Sequence, residues 1–213
     1  MGWTLTPGAL RIRGWQAGVC DSMACGGSQF RRLATWAVLL LSSSAAASGQ
    51  AALDLDGHAV NPLAADSGKV VVLVFVRRDC PVSGRYAPVI QEIAMRYTGS
   101  VRFWLVYPDK SDSPQAIRQY LSEYGYSLPA LRDPEHVLAK LGHVQITPEV
   151  AVFDRNHQLV YDGRIDDRYV DLGRVRAAPT KNELEDAVRS ALAGKPVAKS
   201  EVRGVGCYIA DLE

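Results

Sequence analysis

One cysteine stands in a setting suited to sulfur chemistry. The run Val70-Val71-Val72-Leu73-Val74-Phe75-Val76 is followed by Arg77-Arg78-Asp79 and then by Cys80-Pro81-Val82-Ser83. The apolar, β-branched run reads as a buried strand, and an amphipathic helix follows over about 81–97. A cysteine where a strand meets a helix lies beside free backbone N–H groups and the positive end of the helix dipole. Both favour the thiolate, which is the nucleophilic form. Arg77 and Arg78 add to this and Asp79 opposes it. The plain alternative for Cys80 is a small buried apolar residue, but its place directly before Pro81 favours the reactive thiol. Ser83, one helical turn on, is either a hydrogen-bond partner of that sulfur or an ordinary polar residue of a first turn.

The other cysteines sort by position. Cys20 and Cys25 lie in a segment that reads as a removable leader, residues 1–49. There Arg31-Arg32 precedes the short apolar run Leu33 to Leu41, and small residues follow from Ser42 to Gly49, the pattern of a secretory signal. The run is too short to cross a bilayer comfortably, a task that takes about 20 residues; an uncleaved membrane anchor is the alternative. Met23 is the more natural start, and no cysteine follows the apolar run to carry a lipid. Export to the bacterial periplasm or cell envelope is therefore expected. The mature chain keeps Cys80 and Cys207. Cys207 is a candidate resolving thiol on a C-terminal tail, residues 196–213, that would attack an oxidised or mixed-disulfide Cys80. A static Cys80–Cys207 disulfide and an unpaired tail thiol are the other readings. The long separation is no obstacle, since loop closure costs grow slowly with length.

Charge narrows the partners. The chain of 213 residues has a formal net charge of +1. Its first fifty residues hold four basic groups and one acid, so the remainder is slightly acidic. That balance gives no footprint for nucleic acid. His58, His136, His143 and His157 are scattered and show no compact metal-ligand spacing with Cys80, so no metal and no cofactor are expected.

The elements that position Cys80 alternate. Strands are expected over 69–76 and 101–107, then at Glu149 to Phe153 and Leu159 to Ile165, with Asp154 to His157 as a hairpin turn. Between them, Ser113-Pro114 caps and opens a helix that buries Ile117, Tyr120, Leu121 and Tyr124 and ends at Gly125. Asp133-Pro134 opens a shorter helix over Val137, Leu138 and Leu141, stopped by Gly142. Thr180-x-x-Glu183 reads as a capping box for a last helix with Leu184, Ala187, Val188, Ala191 and Leu192 on one face. The order β-α-β-α-(short α)-β-β-α describes a three-layer α/β sandwich on a mixed sheet of about four to five strands, forming one domain over 50–195.

With Cys80 at the first strand-helix junction and Thr147-Pro148 just before a strand, this order resembles the thioredoxin-like fold. The resemblance covers roughly residues 52–194 and is to the redoxin branch: exported thiol-disulfide oxidoreductases of the TlpA and ResA type, and peroxiredoxin-like proteins. Cys80-Pro81-Val82-Ser83 stands where that family has Cys-x-x-Cys, and Thr147-Pro148 where it has a cis-proline loop. The resemblance implies that Pro148 packs against the active sulfur, and that Thr147 and Pro81 help to seat a substrate chain. Gly163-Arg164-Ile165-Asp166-Asp167-Arg168-Tyr169, with the terminal Gly206-Cys207, looks like a subgroup of bacterial exported redoxins. On that basis Arg164 is a candidate substrate contact, the alternative being a local salt-bridge network with Asp166 and Asp167.

Two departures matter. Ser83 replaces the second motif cysteine, so no disulfide closes within the motif. The peroxiredoxin pattern would place threonine at 77 and proline at 73, where this chain has Arg77 and Leu73. The copper-carrying members of the fold use Cys-x-x-x-Cys, and here that fourth position is Gly84. The leading expectation is an exported oxidoreductase that exchanges electrons with protein thiols and disulfides through Cys80 and Cys207, restored by an unidentified reductant. A peroxiredoxin-like thiol peroxidase acting on peroxide is the second reading. A non-catalytic binding module is the third. Membrane contact is expected only through an uncleaved leader.

Overall fold

The computed structural model describes residues 52–66, 68–198 and 203–212. The leader, with Cys20 and Cys25, lies outside the described residues. The elements in chain order are β1 (Ala52–Leu53), β2 (Ala59–Val60), β3 (Val70–Phe75), α1 (Pro81–Arg96), β4 (Val101–Tyr107), α2 (Pro114–Glu123), β5 (Ala130–Arg132), α3 (Val137–Leu141), β6 (Ile146–Thr147), β7 (Glu149–Phe153), β8 (Leu159–Gly163), β9 (Tyr169–Asp171), β10 (Arg174–Val175), α4 (Glu183–Leu192) and β11 (Cys207–Tyr208).

The main sheet runs β2-β1-β5-β4-β3-β7-β8. β3 lies inside it, parallel to β4 and antiparallel to β7. A strand flanked on both edges and covered on both faces has no polar side, which is why every residue of β3 is apolar and buried. Alternate residues of β3 serve opposite layers. Val70, Val72 and Val74 pack with Ile90 and Ile93 of α1 and with Leu184 and Val188 of α4. Val71, Leu73 and Phe75 pack with Leu138 and Ala139 of α3. The expected sandwich is therefore present, with helices on both faces of a mixed sheet.

The sheet has seven strands rather than four or five. β1, β2 and β5 are two or three residues long, too short to show a period of two, and β1 and β2 join the sheet only through the distant pairing of Leu53 with Arg132. Other boundaries also shift. β8 stops at Gly163, before Ile165. α3 starts at Val137 behind a left-handed His136, and Asp133 reaches forward to accept from the Ala139 N–H at 2.9 Å.

The capping box expected at Thr180 and Glu183 is not formed. α4 begins at Glu183 after Asn182, with no side-chain cap. Thr180 donates its hydroxyl to Asp167 Oδ2 at 2.5 Å, and Glu183 accepts from Arg164 Nε at 2.8 Å. Both side chains are captured by the segment after β8, where tertiary partners win over a local cap worth about 1 kcal/mol. Asp167 also accepts from the N–H groups of Thr180 and Lys181. The Thr180 hydroxyl above all, then these N–H groups and the nearby Arg176 guanidinium, outweigh burial and hold the Asp167 carboxyl down at about 2. Its folded value lies below the unfolded one, so the stabilisation is complete above the ordinary carboxylate range and is lost as pH falls through about 2. Asp167→Asn is expected to destabilise the fold by about 1–3 kcal/mol at neutral pH and to flatten that acid limb. Urea titrations at neutral pH and near pH 3 check both.

Candidate functional site

Cys80 is placed by purely local means. β3 delivers the chain to the sheet edge, Cys80 N–H closes a turn onto the Arg77 carbonyl at 3.3 Å, and α1 starts at Pro81 with Cys80 as its N-cap. Proline suits the first helical position, where no N–H is needed. The sulfur is 1% exposed and, as a thiol, donates to the Thr147 carbonyl at 3.3 Å.

Burial by itself would raise the Cys80 pKa, but the surroundings reverse this. The Ser83 N–H, the Cys207 thiol, the Ser83 hydroxyl and the Val82 N–H all hydrogen-bond to the thiolate, and together they hold the pKa below the ordinary thiol value. Ser83 also has a structural role. It is buried, and its Oγ accepts from the Arg77 N–H at 3.3 Å while its own proton is left to give. The two arginines act elsewhere than expected. Arg78 is paired with Asp112 at 2.7 Å, and Arg77 with Asp79 at 2.8 Å and Asp109 at 3.1 Å. Arg77 also opposes the rise of the Cys207 pKa.

Cys207 is brought to Cys80 by strand pairing. The tail, which shows no periodicity, contains β11, which lies antiparallel on β6 with Cys207 opposite Thr147 and Tyr208 opposite Ile146. The Thr147 hydroxyl donates to the Cys207 carbonyl at 3.2 Å, and the Ile209 N–H to the Gln145 carbonyl at 2.9 Å. The peptide bond Thr147-Pro148 is cis. Both cysteines are free thiols, and the Cys207 thiol hydrogen-bonds to Cys80. Burial, then that hydrogen bond, then the Cys80 charge push the Cys207 pKa up to about 11. The pair is therefore asymmetric, with the thiolate favoured at Cys80 and a protonated donor at Cys207. Cys207→Ala is expected to raise the pH midpoint for alkylation of Cys80, and Cys207→Ser, which keeps a donor, to raise it less. Iodoacetamide labelling against pH, read on the Cys80 peptide by mass, checks this.

Of the residues singled out from the sequence, Cys80, Ser83, Thr147 and Cys207 form one cluster, with Pro81 and Pro148 next to them in the chain. Arg164 is not brought into it. Its guanidinium is bonded to Glu183 at 2.8 and 2.5 Å, while Asp166 accepts from Tyr86 and Asp167 holds Thr180. Arg164 thus pairs with Glu183 and with neither Asp166 nor Asp167. His143 is exposed beside Asp162. Among the described residues, no group of three His, Cys, Asp or Glu is arranged to hold a metal ion.

Sequence reasoning missed the anchors of the tail. Glu149, 1% exposed, accepts from the Gly204 N–H at 2.8 Å. Arg203 donates to the His143 carbonyl at 3.3 Å, and Arg77 to the Tyr208 carbonyl at 3.1 Å. His136 faces the carbonyls of Asp211 and Pro108, each at 3.0 Å. One signal was present: Gly204 and Gly206 alternate, so an extended chain there would have one face without side chains.

The comparisons with known proteins agree with this architecture. The sequence model of a family described as thioredoxin-like matches residues 68–159. An uncharacterized conserved protein from Geobacillus kaustophilus is similar in structure with a TM-score of 0.63 and 26% identity, over 75% of this chain and 86% of that one. A hypothetical protein from Sinorhizobium meliloti has a TM-score of 0.64 and 24% identity, over 75% and 88%. A secreted disulfide oxidoreductase of Mycobacterium tuberculosis has a TM-score of 0.47 and 19% identity, over 68% and 94%. No curated protein matches the sequence. The fold of this chain is thioredoxin-like.

Proposed function

We propose that this protein is a thiol-disulfide oxidoreductase that works through Cys80 and Cys207. The observation that carries the reading is the placement of Cys207 by strand pairing opposite Thr147, whose carbonyl accepts from the Cys80 thiol at 3.3 Å, with one pKa pushed down and the other up. The Cys80 thiolate attacks a substrate disulfide and forms a mixed disulfide, and the displaced thiolate takes a proton. Cys207 then gives up its proton and attacks the Cys80 sulfur. The Cys80–Cys207 bond forms, the second substrate thiolate leaves, and the substrate is reduced by two electrons. An external dithiol returns both protein cysteines to thiols. The low Cys80 pKa also makes it the better leaving group when the external dithiol attacks Cys207 and opens the Cys80–Cys207 bond.

Cys207 here takes the part that a second motif cysteine would take, since Ser83 cannot. Export is part of the proposal and rests on the leader's charge and apolar pattern; the N-terminal sequence of the mature protein from an envelope fraction tests it. The central test is a disulfide map of the protein before and after one equivalent of oxidised glutathione. A Cys80–Cys207 bond that forms on oxidation and opens with dithiothreitol is the expected result. Two thiols that never pair would overturn the cycle.

A further inference from the structure

The tail does more than carry a thiol. Cys207 and Tyr208 lie antiparallel on β6, in a register that sets Cys207 opposite Thr147, the residue whose carbonyl accepts from the Cys80 thiol, and residues 203–206 reach that pairing across Glu149 and Pro148. Two close approaches fix what that register accepts. A Cβ on Gly206 would overlap the Thr147 carbonyl and lie 3.2 Å from Pro148 Cδ. A Cβ on Gly204 would lie 2.9 Å from Glu149 Cγ and 3.1 Å from the Pro148 carbonyl. The Thr147 carbonyl cannot retreat freely, because it is peptide-bonded to Pro148 and accepts from Cys80. Glu149 cannot leave easily either, being buried and bonded to the Gly204 N–H. The groove therefore reads a backbone with no side chain directly before the cysteine.

We propose that this groove is a sequence-selective docking site for an extended, cysteine-bearing polypeptide with glycine immediately before its cysteine, and that the protein's own tail competes for it. The inference rests on the reading of Cys80 as the exchanging thiol. It adds the partner's sequence requirement and a reason why Cys80 is closed to larger partners while the tail is seated. A partner chain must displace β11, pair with β6 in its place, and present its sulfur where the Cys207 thiol now lies.

The test uses full-length protein carrying Cys207→Ser, so that a mixed disulfide at Cys80 is not resolved. Two peptides serve as probes, Arg-Gly-Val-Gly-Cys-Tyr-Ile and the same peptide with valine directly before the cysteine. In each the cysteine is held as a disulfide to thiopyridine. The Cys80 thiolate forms a disulfide to the peptide and expels thiopyridone, which is read by absorbance, and peptide mapping locates the adduct. The tail is released in two independent ways: Ile209→Asp, which puts a charge on a buried apolar anchor, and Gly206→Val, which blocks the register itself.

Both releases are expected to speed the reaction of the glycine peptide at least about 10-fold, because the tail competes at a high effective concentration. The valine peptide is expected to remain at least about 10-fold slower than the glycine peptide on the released chains. Equal rates for the two peptides would overturn the glycine requirement, and no acceleration in either variant would overturn the competition. Dithiodipyridine is the control, since it needs no groove. If Cys80 reacts with it while both peptides fail, docking is wrong and the exchange function stands. If Cys80 does not react with it at all, the exchange function itself fails.

Discussion

Cys207→Ser is expected to give a protein that reacts once and stops. Cys80 keeps its N-cap position and the Ser83 contacts, so it still attacks a disulfide. The mixed disulfide then has no neighbouring thiol to open it. Turnover with a disulfide substrate and an excess of dithiol should fall by about 100-fold or more, since a pre-positioned intramolecular nucleophile is replaced by a bimolecular one. The trapped adduct should be seen by mass on the Cys80 peptide, and Cys80→Ser should form none. Wild-type turnover by Cys207→Ser would remove Cys207 from the cycle.

The asymmetry of the pair explains the expected order of events. While Cys80 is a thiolate, its charge and its hydrogen bond help to hold the Cys207 pKa near 11. Once the Cys80 sulfur is in a mixed disulfide, both of those influences vanish. When the tail seats again to resolve the bond, burial still opposes ionisation and the Arg77 guanidinium still favours it. Cys207 therefore becomes more acidic at the step that needs it to attack, and the resolving thiol stays protonated until there is something to resolve.

The second large effect concerns the platform. Ile90 is fully buried on the face of α1 that packs against β3. Ile90→Ala removes three buried carbons at a place where helix and sheet cannot easily close the gap. It is expected to cost about 2–5 kcal/mol, measured by urea or thermal unfolding. Cys80 should nevertheless alkylate with an unchanged pH midpoint under native conditions, because its partners Ser83, Val82 and Cys207 are not touched. A shifted midpoint would mean that the start of α1 depends on packing further along the helix.

What the sequence by itself determined is what short-range physics fixes. The run 70–76 could only be a buried strand, since nothing in it satisfies water. Pro81 and the amphipathic spacing after it fix the start of α1, and these two facts already place Cys80 at a helix N-terminus. The apolar faces of α2 and α4 follow from the same 3.6-residue period, except that Tyr124 caps the end of α2 and is exposed rather than buried. Cys207 itself was visible as the second cysteine beyond residue 50, although nothing local tells where it goes.

Tertiary structure decided the rest. β11 and β6 are two residues each, so neither has a period to read, and their register is set by Ile209, Arg203, Glu149 and two glycines acting together. The same holds for the lost capping box, where Asp167 and Arg164 take the side chains that local rules assign to a helix start. Arg77 was legible as a charge near Cys80, but its direction was set by Asp79, Asp109 and the tail. A thiol's reactivity at a helix start is a local property, written in neighbouring residues. The partner that completes it is a contact between segments some 127 residues apart, and such a contact exists only once strand edges, buried charge and close backbone approach have been satisfied together.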